Sequence, residues 1–377
     1  MHNIMGKIKI LMVLGTPARE GAQSFCVNIL KRIDKNIFHV DFVFMSDEKN
    51  GYYTEITSLG SSIFSLPHYN GLNKLVFKRA WNSFFDSHYY DIVHAHATGA
   101  AYIYLNIAKK HDCITISHSH SAYYRGNALA ILIKKISAKK VARISDYCLA
   151  CSKNAAIRLF GKRYSFMNNF YLMPNLIFTD NFKYNVANCD KIKVQLSLEK
   201  SARIYGHLGS LTKPKNHSFL LDVFALIKKK ESNSVLVLVG DGPLMPSIIK
   251  KAKKLNIFES IKFVGNVSNP NDYLHCFDVM IFPSLFEGFP MSLIEAQACG
   301  VYTIASDTIT TETVLSDNIE FLNIKQGPYL WAEKAMSVVK QIDKQKSFEY
   351  VKQSIYDIDK GVHILENIYK TAFNCRK

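Results

Sequence analysis

Two glutamates, one lysine and two pairs of histidines are the residues of this chain whose types and spacing suit chemistry. The run FPSLFEGFPMSLIEAQACG, residues 282–300, holds Glu287 and Glu295 with seven residues between them and no basic side chain anywhere in the run. A carboxylate in such apolar company loses hydration and needs a partner. The run reads as strand, loop and helix: VMIFPS ends a strand, LFEG turns, and PMSLIEAQAC forms a helix that Gly300 closes. Pro290 suits the first helical turn, where its missing N–H costs nothing. Glu287 then lies just before the helix and Glu295 more than one turn inside it, roughly 7 Å deeper at about 1.5 Å per residue. Gly288 leaves room for a ligand at the backbone, and the amides over Gly288–Met291 favour an anion. An elongated ligand with hydroxyls at each end and a phosphate between them satisfies all of this, and a nucleotide-sugar is such a ligand. The plainer alternative, a capping Glu287 and an unrelated Glu295, explains neither apolar setting.

The histidines fall in SHSHS (His118 and His120) and VHAHA (His94 and His96). A two-residue gap on a strand puts both members of a pair on one face, so His94 and His96 could be read as metal ligands. No acidic cluster accompanies them. Eight cysteines are scattered, and Cys148 and Cys151 form a lone C-x-x-C in CLAC. One pair without a second pair or neighbouring His ligands reads as buried free thiols in a reducing compartment.

These residues need elements to position them. Strand candidates are IKILMVLG, FHVDFVFM, YDIVHAHA, CITISHSH, YCLACS, FYLMPN, ARIYGHLGS, SVLVLVG, IKFVGN, VMIFPS and VYTIAS. Between them run stretches at helical spacing, such as NHSFLLDVFALIKKK. Strand–helix alternation gives an α/β fold with parallel sheets covered on both faces. At 377 residues the chain exceeds one ordinary core. The pattern restarts after 177–200, a polar and weakly periodic stretch read as a linker. The expected division is a first doubly wound domain over 1–180, joined by a C-terminal helix at 358–377, and a second over 181–357. The last helix could instead close the second domain. Ligands in such sheets sit outside the carboxyl ends of strands, so the cleft between two facing sheets is the expected site.

The net charge is +16, of which +11 falls in residues 1–182. Ten basic residues and one acid occupy 125–163, densest in ALAILIKKISAKKVARI. This is a solvated helix face or a surface for anionic membrane or lipid-linked diphosphate. Little aromatic interleaving accompanies the lysines, which argues against nucleic acid. No run of about 18 apolar residues is present to span a bilayer. KIKILMVLG is too short and charged for a signal-peptide core. The expected location is cytoplasmic, with peripheral association at the inner membrane face.

EGFPMSLIE resembles the E-x7-E signature of the family 4 retaining glycosyltransferases, which have the GT-B fold of two Rossmann-like domains facing across a cleft. Other motifs follow in order over nearly the whole chain. GHLGSLTKPKNH resembles the donor-phosphate loop, GDGPL the glycine turn after the next strand, and FVGNV the segment beside the nucleotide base. SHSHS, SDYCLACSK and MPN are similar to strand ends of the first domain.

The resemblance implies roles. Glu295 would accept hydrogen bonds from ribose hydroxyls as an ionised carboxylate. Glu287 would hold the donor sugar's hydroxyls, with the backbone of Gly288, Phe289, Pro290 and Met291. Lys215 would meet the diphosphate as charge grows on the leaving group. Gly209, Ser210, Asn216 and Gly265 complete the donor side. His120 would sit near the reacting carbon, making His120, Lys215 and Glu287 the catalytic set. Gly21, Gln23 and His118 would lie on the acceptor side, and His118 is the substitute for His120. Family members usually work without metal, so no metal or other cofactor is expected, with the nucleotide-sugar as substrate.

Two departures stand out. Ser210 occupies the place of a usual arginine, with Lys213 close in sequence. EGAQS carries Gly21 and Gln23 where a Gly-Gly pair and an acid are common. The implied activity is transfer of a hexose or N-acetylhexosamine from a nucleotide-sugar, foremost a UDP-sugar, to a glycan or lipid-linked acceptor in bacterial capsule or exopolysaccharide synthesis. No carboxylate stands out as a covalent nucleophile, so substitution on one face assisted by the departing phosphate is the mechanism implied. The competing reading is a non-catalytic GT-B scaffold that partners another transferase.

Overall fold

Runs dense in β-branched and aromatic residues, hydrophobic on both faces, are what a sheet covered on both sides requires. Thirteen strands, most of them of this kind, form among the described residues of the computed structural model, which are 6–121, 124, 127–267, 269–338 and 342–376. The chain divides into two compact units, Met1–Leu176 with Ile358–Lys377, and Ile177–Asp357. Arg125, at the start of the basic stretch, lies outside the described residues.

The first unit comprises β1 (Ile8–Leu14), α1 (Gly21–Arg32), β2 (Phe38–Phe44), α2 (Tyr53–Ser58), β3 (Ile63–Ser65), α3 (Lys74–Ser87), β4 (Ile92–Ala95), α4 (Ala101–Lys110), β5 (Ile114–Ser119), α5 (Ala128–Ile144), β6 (Tyr147–Ala150), α6 (Lys153–Phe160) and β7 (Phe170–Leu172). Its sheet runs in the order β3-β2-β1-β4-β5-β6-β7, every pairing parallel. The strand order reverses between β1 and β4, which opens a crevice at their carboxyl ends. Under one face, Trp81 stacks on Tyr104 at 4.7 Å between centroids, with Phe77, Phe84 and Phe85 around them. Each such buried aromatic stabilises by roughly 1.5–3 kcal/mol relative to exposure. The C-terminal helix, Ile358–Asn374, packs on α1. Gly361 makes that packing close, since a Cβ there would lie 2.2 Å from Leu176. An ion pair of Arg32 with Asp359 and a bond from the Asp34 amide to Glu366 at 2.8 Å tie it down.

The second unit comprises α7 (Val186–Gln195), β8 (Arg203–Leu208), α8 (His217–Lys230), β9 (Ser234–Val239), α9 (Met245–Lys254), β10 (Ile261–Gly265), α10 (Pro270–Leu274), β11 (Val279–Phe282), α11 (Met291–Ala298), β12 (Tyr302–Ser306), β13 (Ile319–Leu322), α12 (Gly327–Met336) and α13 (Lys344–Lys352). Its all-parallel sheet runs β10-β9-β8-β11-β12-β13 and reverses between β8 and β11. The stretch 177–200, expected to be a linker, is folded into this unit. Asn185 caps α7 by accepting from the amides of Ala187 and Asn188, and Ile192 is its buried anchor. A helix with one buried apolar residue gives almost no periodic signal, which is why the sequence reads as a linker there.

Candidate active site

The reversal between β8 and β11 positions the second unit's polar residues. The loop after β8 carries Gly209, Ser210 and Lys215, and the loop after β11 carries Glu287. Lys215 Nζ lies 2.8 Å from Glu287 Oε1, with both side chains mostly covered at 15% and 13% exposure. The same ammonium stands 4.6 Å over the Phe282 ring. Gly209 permits this placement, because a Cβ there would come within 3.1 Å of Lys215 Cε.

Glu295 sits within α11, half-buried. Burial pushes its carboxyl up to about 7, and the nearby Lys215 charge opposes that rise only in part. An ionised Glu295 is the sequence expectation. The carboxylate is only partly ionised at neutral pH, because desolvation outweighs the lysine. Pro290 is the residue that precedes α11, and the helix begins at Met291. A Cβ on Gly288 would meet nothing within 4 Å, so the backbone there is open to approach. The Phe289 ring is stacked on Tyr356 at 5.4 Å and packs against the core.

Three separated motifs are joined by backbone bonds around this point. The Gly209 amide donates to Val239 O at 3.0 Å, Leu211 to Asp241 O at 2.9 Å, and Gly240 to Gly265 O at 2.9 Å. Gly240 is required at its place: φ is +131°, and a Cβ would strike the Gly209 carbonyl at 2.2 Å. Asn216 holds a left-handed conformation between the short turn Lys213–Lys215 and α8. Ser210 Oγ lies 3.3 Å from Thr212 Oγ1, and Lys213 is exposed.

In the first unit, β4 and β5 deliver four histidines to one place. With His94 registered on Ile116, the even-numbered residues of both strands share a face. His94, His96 and His118 are buried, and His118 and His120 have ring centroids 4.0 Å apart. His96 Nδ1 lies 2.8 Å from His120 Nε2. Burial holds His94, His96 and His118 well below the ordinary imidazole range. It brings His120 to about 4, with the neighbouring Asn175 side chain working against it. All four rings are therefore neutral at physiological pH.

A cavity of about 490 Å³ lies beside them, with Gly21, His120, Tyr124, Arg158 and Asn175 in its wall. Gln23 and His118 are turned inward instead: Gln23 Nε2 donates to Thr16 O at 2.9 Å, and His118 Nε2 is bonded to Met173 O at 2.9 Å.

A model of the glycosyl transferases group 1 matches residues 188–354, and a model of glycosyltransferase family 4 matches residues 19–177. The chain belongs to glycosyltransferase family 4. EpsF of Bacillus subtilis (strain 168) is 29% identical to this glycosyltransferase over 374 residues, covering 97% of each chain. The capsular polysaccharide biosynthesis glycosyltransferase CapH of Staphylococcus aureus is 25% identical over 375 residues, 96% of this chain and 98% of its own. In three dimensions, Anabaena Alr3699/HepE in complex with UDP superposes with a TM-score of 0.79 at 16% identity, over 97% of this chain and all of its own. The fold is GT-B.

Within the glycosyltransferase, Lys215, Glu287 and Glu295 converge on one region, together with Gly209, Ser210 and Asn216 after β8, Gly265 at the end of β10, Gly288, Phe289 and Pro290 after β11, and Met291 at the start of α11. Gly21 and His120 share the first unit's cavity, while Gln23 and His118 back it. Arg158 and Tyr124 are cavity residues that the sequence reading missed. Arg158 Nη2 donates to Thr98 Oγ1 at 3.3 Å, and its guanidinium lies 5.0 Å over the Tyr124 ring. Its sequence signals are its place in the basic stretch 125–163 and on α6, five residues after SDYCLACSK ends.

Proposed function

We propose that this glycosyltransferase moves a hexose or N-acetylhexosamine from a nucleotide-sugar, foremost a UDP-sugar, to a glycan or lipid-linked acceptor in surface polysaccharide synthesis, with retention at the anomeric carbon. The observation that carries this reading is the meeting of Lys215 with Glu287 and Glu295 at the sheet's reversal, where diphosphates and ribose hydroxyls are bound in such folds. Lys215 serves the diphosphate, Glu287 the sugar hydroxyls and Glu295 the ribose. Glu287 holds the Lys215 ammonium at 2.8 Å, within reach of the place proposed for the diphosphate. As the sugar–phosphate bond breaks, charge grows on the leaving diphosphate, and a lysine pre-placed in a sheltered site stabilises it. That assigns the charge compensation to Lys215, with no divalent ion at the diphosphate.

HepE, solved with UDP and with UDP-glucose, supports the choice of base, and the role printed for CapH supports polysaccharide synthesis. His120 and the cavity with Gly21 and Arg158 are the acceptor side. Helix α5 supports a membrane-surface acceptor: Leu132, Ile133 and Ile136 are exposed among Lys135, Lys139 and Lys140. Among the described residues no helix is long and apolar enough to cross a membrane. The non-catalytic alternative is not favoured, because both glutamates and Lys215 stand around one point.

A thermal-shift screen against UDP-, GDP- and ADP-sugars tests the donor side. UDP-sugars raising the midpoint in wild type and not in Glu295→Ala is the expected result. No response to any nucleotide-sugar would overturn the assignment.

A further inference from the structure

We infer that His94, His96 and His118 form a binding site for a divalent transition-metal ion of the zinc class, buried in the first unit. The inference stands apart from the donor-site reading, since it uses none of the second unit's residues. One ligand nitrogen from each of the three rings lies within 4.8 Å of the other two. Tetrahedral coordination at about 2.0–2.1 Å places ligand nitrogens roughly 3.4 Å apart. Closing these rings onto an ion therefore takes side-chain shifts on the order of an ångström, with no change of strand register.

The hydrogen bonding favours an ion over simple ring packing. Each of the three rings has one nitrogen held by a protein group: His94 Nδ1 by Tyr369 Oη at 2.7 Å, His96 Nδ1 by His120 Nε2 at 2.8 Å, and His118 Nε2 by Met173 O at 2.9 Å. The other nitrogen of each, His94 Nε2, His96 Nε2 and His118 Nδ1, is buried with no hydrogen-bond partner. Leaving a buried polar atom unpaired costs its full desolvation penalty, and three in one spot is a pattern that packing alone does not reward. One nitrogen oriented by a neighbour and the opposite one bare is how metal-binding histidines are built. Soft-to-borderline imidazole sets with no carboxylate select zinc-class ions over magnesium or calcium.

The site would also position His120. With Nε2 of His96 on the ion, its Nδ1 must carry the proton and donate to His120 Nε2. That leaves the His120 proton on Nδ1, on the ring that lines the cavity. The sequence reading left metal out because no acidic cluster accompanies the histidines and because members of the family it resembles usually work without metal. A site made of imidazoles alone needs none.

The test uses the full chain without a polyhistidine tag, stripped of metal and titrated with Co2+ and Zn2+. One equivalent of Co2+ giving the intense visible bands of a tetrahedral nitrogen-ligated ion, displaced by Zn2+ and not by Mg2+, is the expected result. His94→Ala and His118→Ala should each abolish the bands, while His68→Ala, at an exposed histidine, should leave them unchanged. Where either buried variant fails to fold, imidazole 15N shifts of the wild-type protein decide, because Zn2+ should move two Nε2 signals and one Nδ1 signal. Absence of Co2+ binding by wild type, bands that persist in both variants, or shifts instead at the second unit's buried pair His207 and His217, whose rings lie 4.6 Å apart, would each overturn the proposal.

Discussion

The two units share an all-parallel sheet whose strand order reverses once, yet the side chains gathered at the two reversals differ in kind. At β8 and β11 the second unit holds a lysine against one carboxylate with another carboxylate nearby. Beside the first unit's reversal between β1 and β4, the ends of β4 and β5 hold four neutral imidazoles, next to a cavity whose wall carries Arg158, Lys134 and Glu20. The backbone supplies the place and the loop residues supply the charge. A charged, hydroxyl-rich ligand matches the second unit's set. Neutral rings suit proton handling or metal ligation.

The comparison breaks most readily at Lys215. Lys215→Ala should lower kcat by about 100-fold or more, the scale seen on removing one preorganised donor from a transition state. The same substitution at the exposed Lys213 should change kcat little, and steady-state turnover of both variants separates site from surface. Glu295→Ala comes next, with donor affinity weakened by about 100-fold in calorimetry, from two charge-assisted hydrogen bonds of roughly 1.5 kcal/mol each.

The third effect is in pH. A donor that binds the ionised Glu295 gains affinity as pH rises towards the carboxyl's value of about 7 and levels off above it. Without ligand the sign is opposite. The folded-state value lies above the ordinary 4.5, so the native chain holds an extra proton between the two. This group's contribution to stability is therefore present below about 4.5 and declines as pH rises to about 7. Glu295→Gln should flatten both dependences, read by calorimetry and thermal melts across that range. The smallest change is a gain. Ser210→Arg restores a second cation to the phosphate loop and should tighten donor binding by about tenfold, one charge-assisted bond.

The sequence made much of this legible. The strands rich in Val, Ile, Leu and Phe announce themselves, and the glycine motifs mark where backbones touch, as Gly240 against Gly209 demonstrates. Two strands were missed, β3 (IFS) and β13 (IEFL), because edge strands of three or four half-exposed residues carry no periodic signal. SHSHS and VHAHA were visible separately, but their meeting depends on which strands are neighbours and in what register. The raised Glu295 carboxyl and the Lys215–Glu287 pair were likewise out of reach. Both are sums over a three-dimensional neighbourhood rather than features of spacing.

The second unit is an insertion into the first, and its two ends are stitched together. Ile177 forms a parallel bridge with Asp357, and its amide donates to Tyr356 O at 2.9 Å. Bringing the ends of so long a disordered segment together would cost several kcal/mol in chain entropy. Once folded, the insert acts as a clasp that delivers the C-terminal helix, with Tyr369, beside the strands it must join. Loosening that junction, by Ile177→Gly, should raise hydrogen exchange at Tyr356–Asp357 and in the first turn of the helix that begins at Ile358.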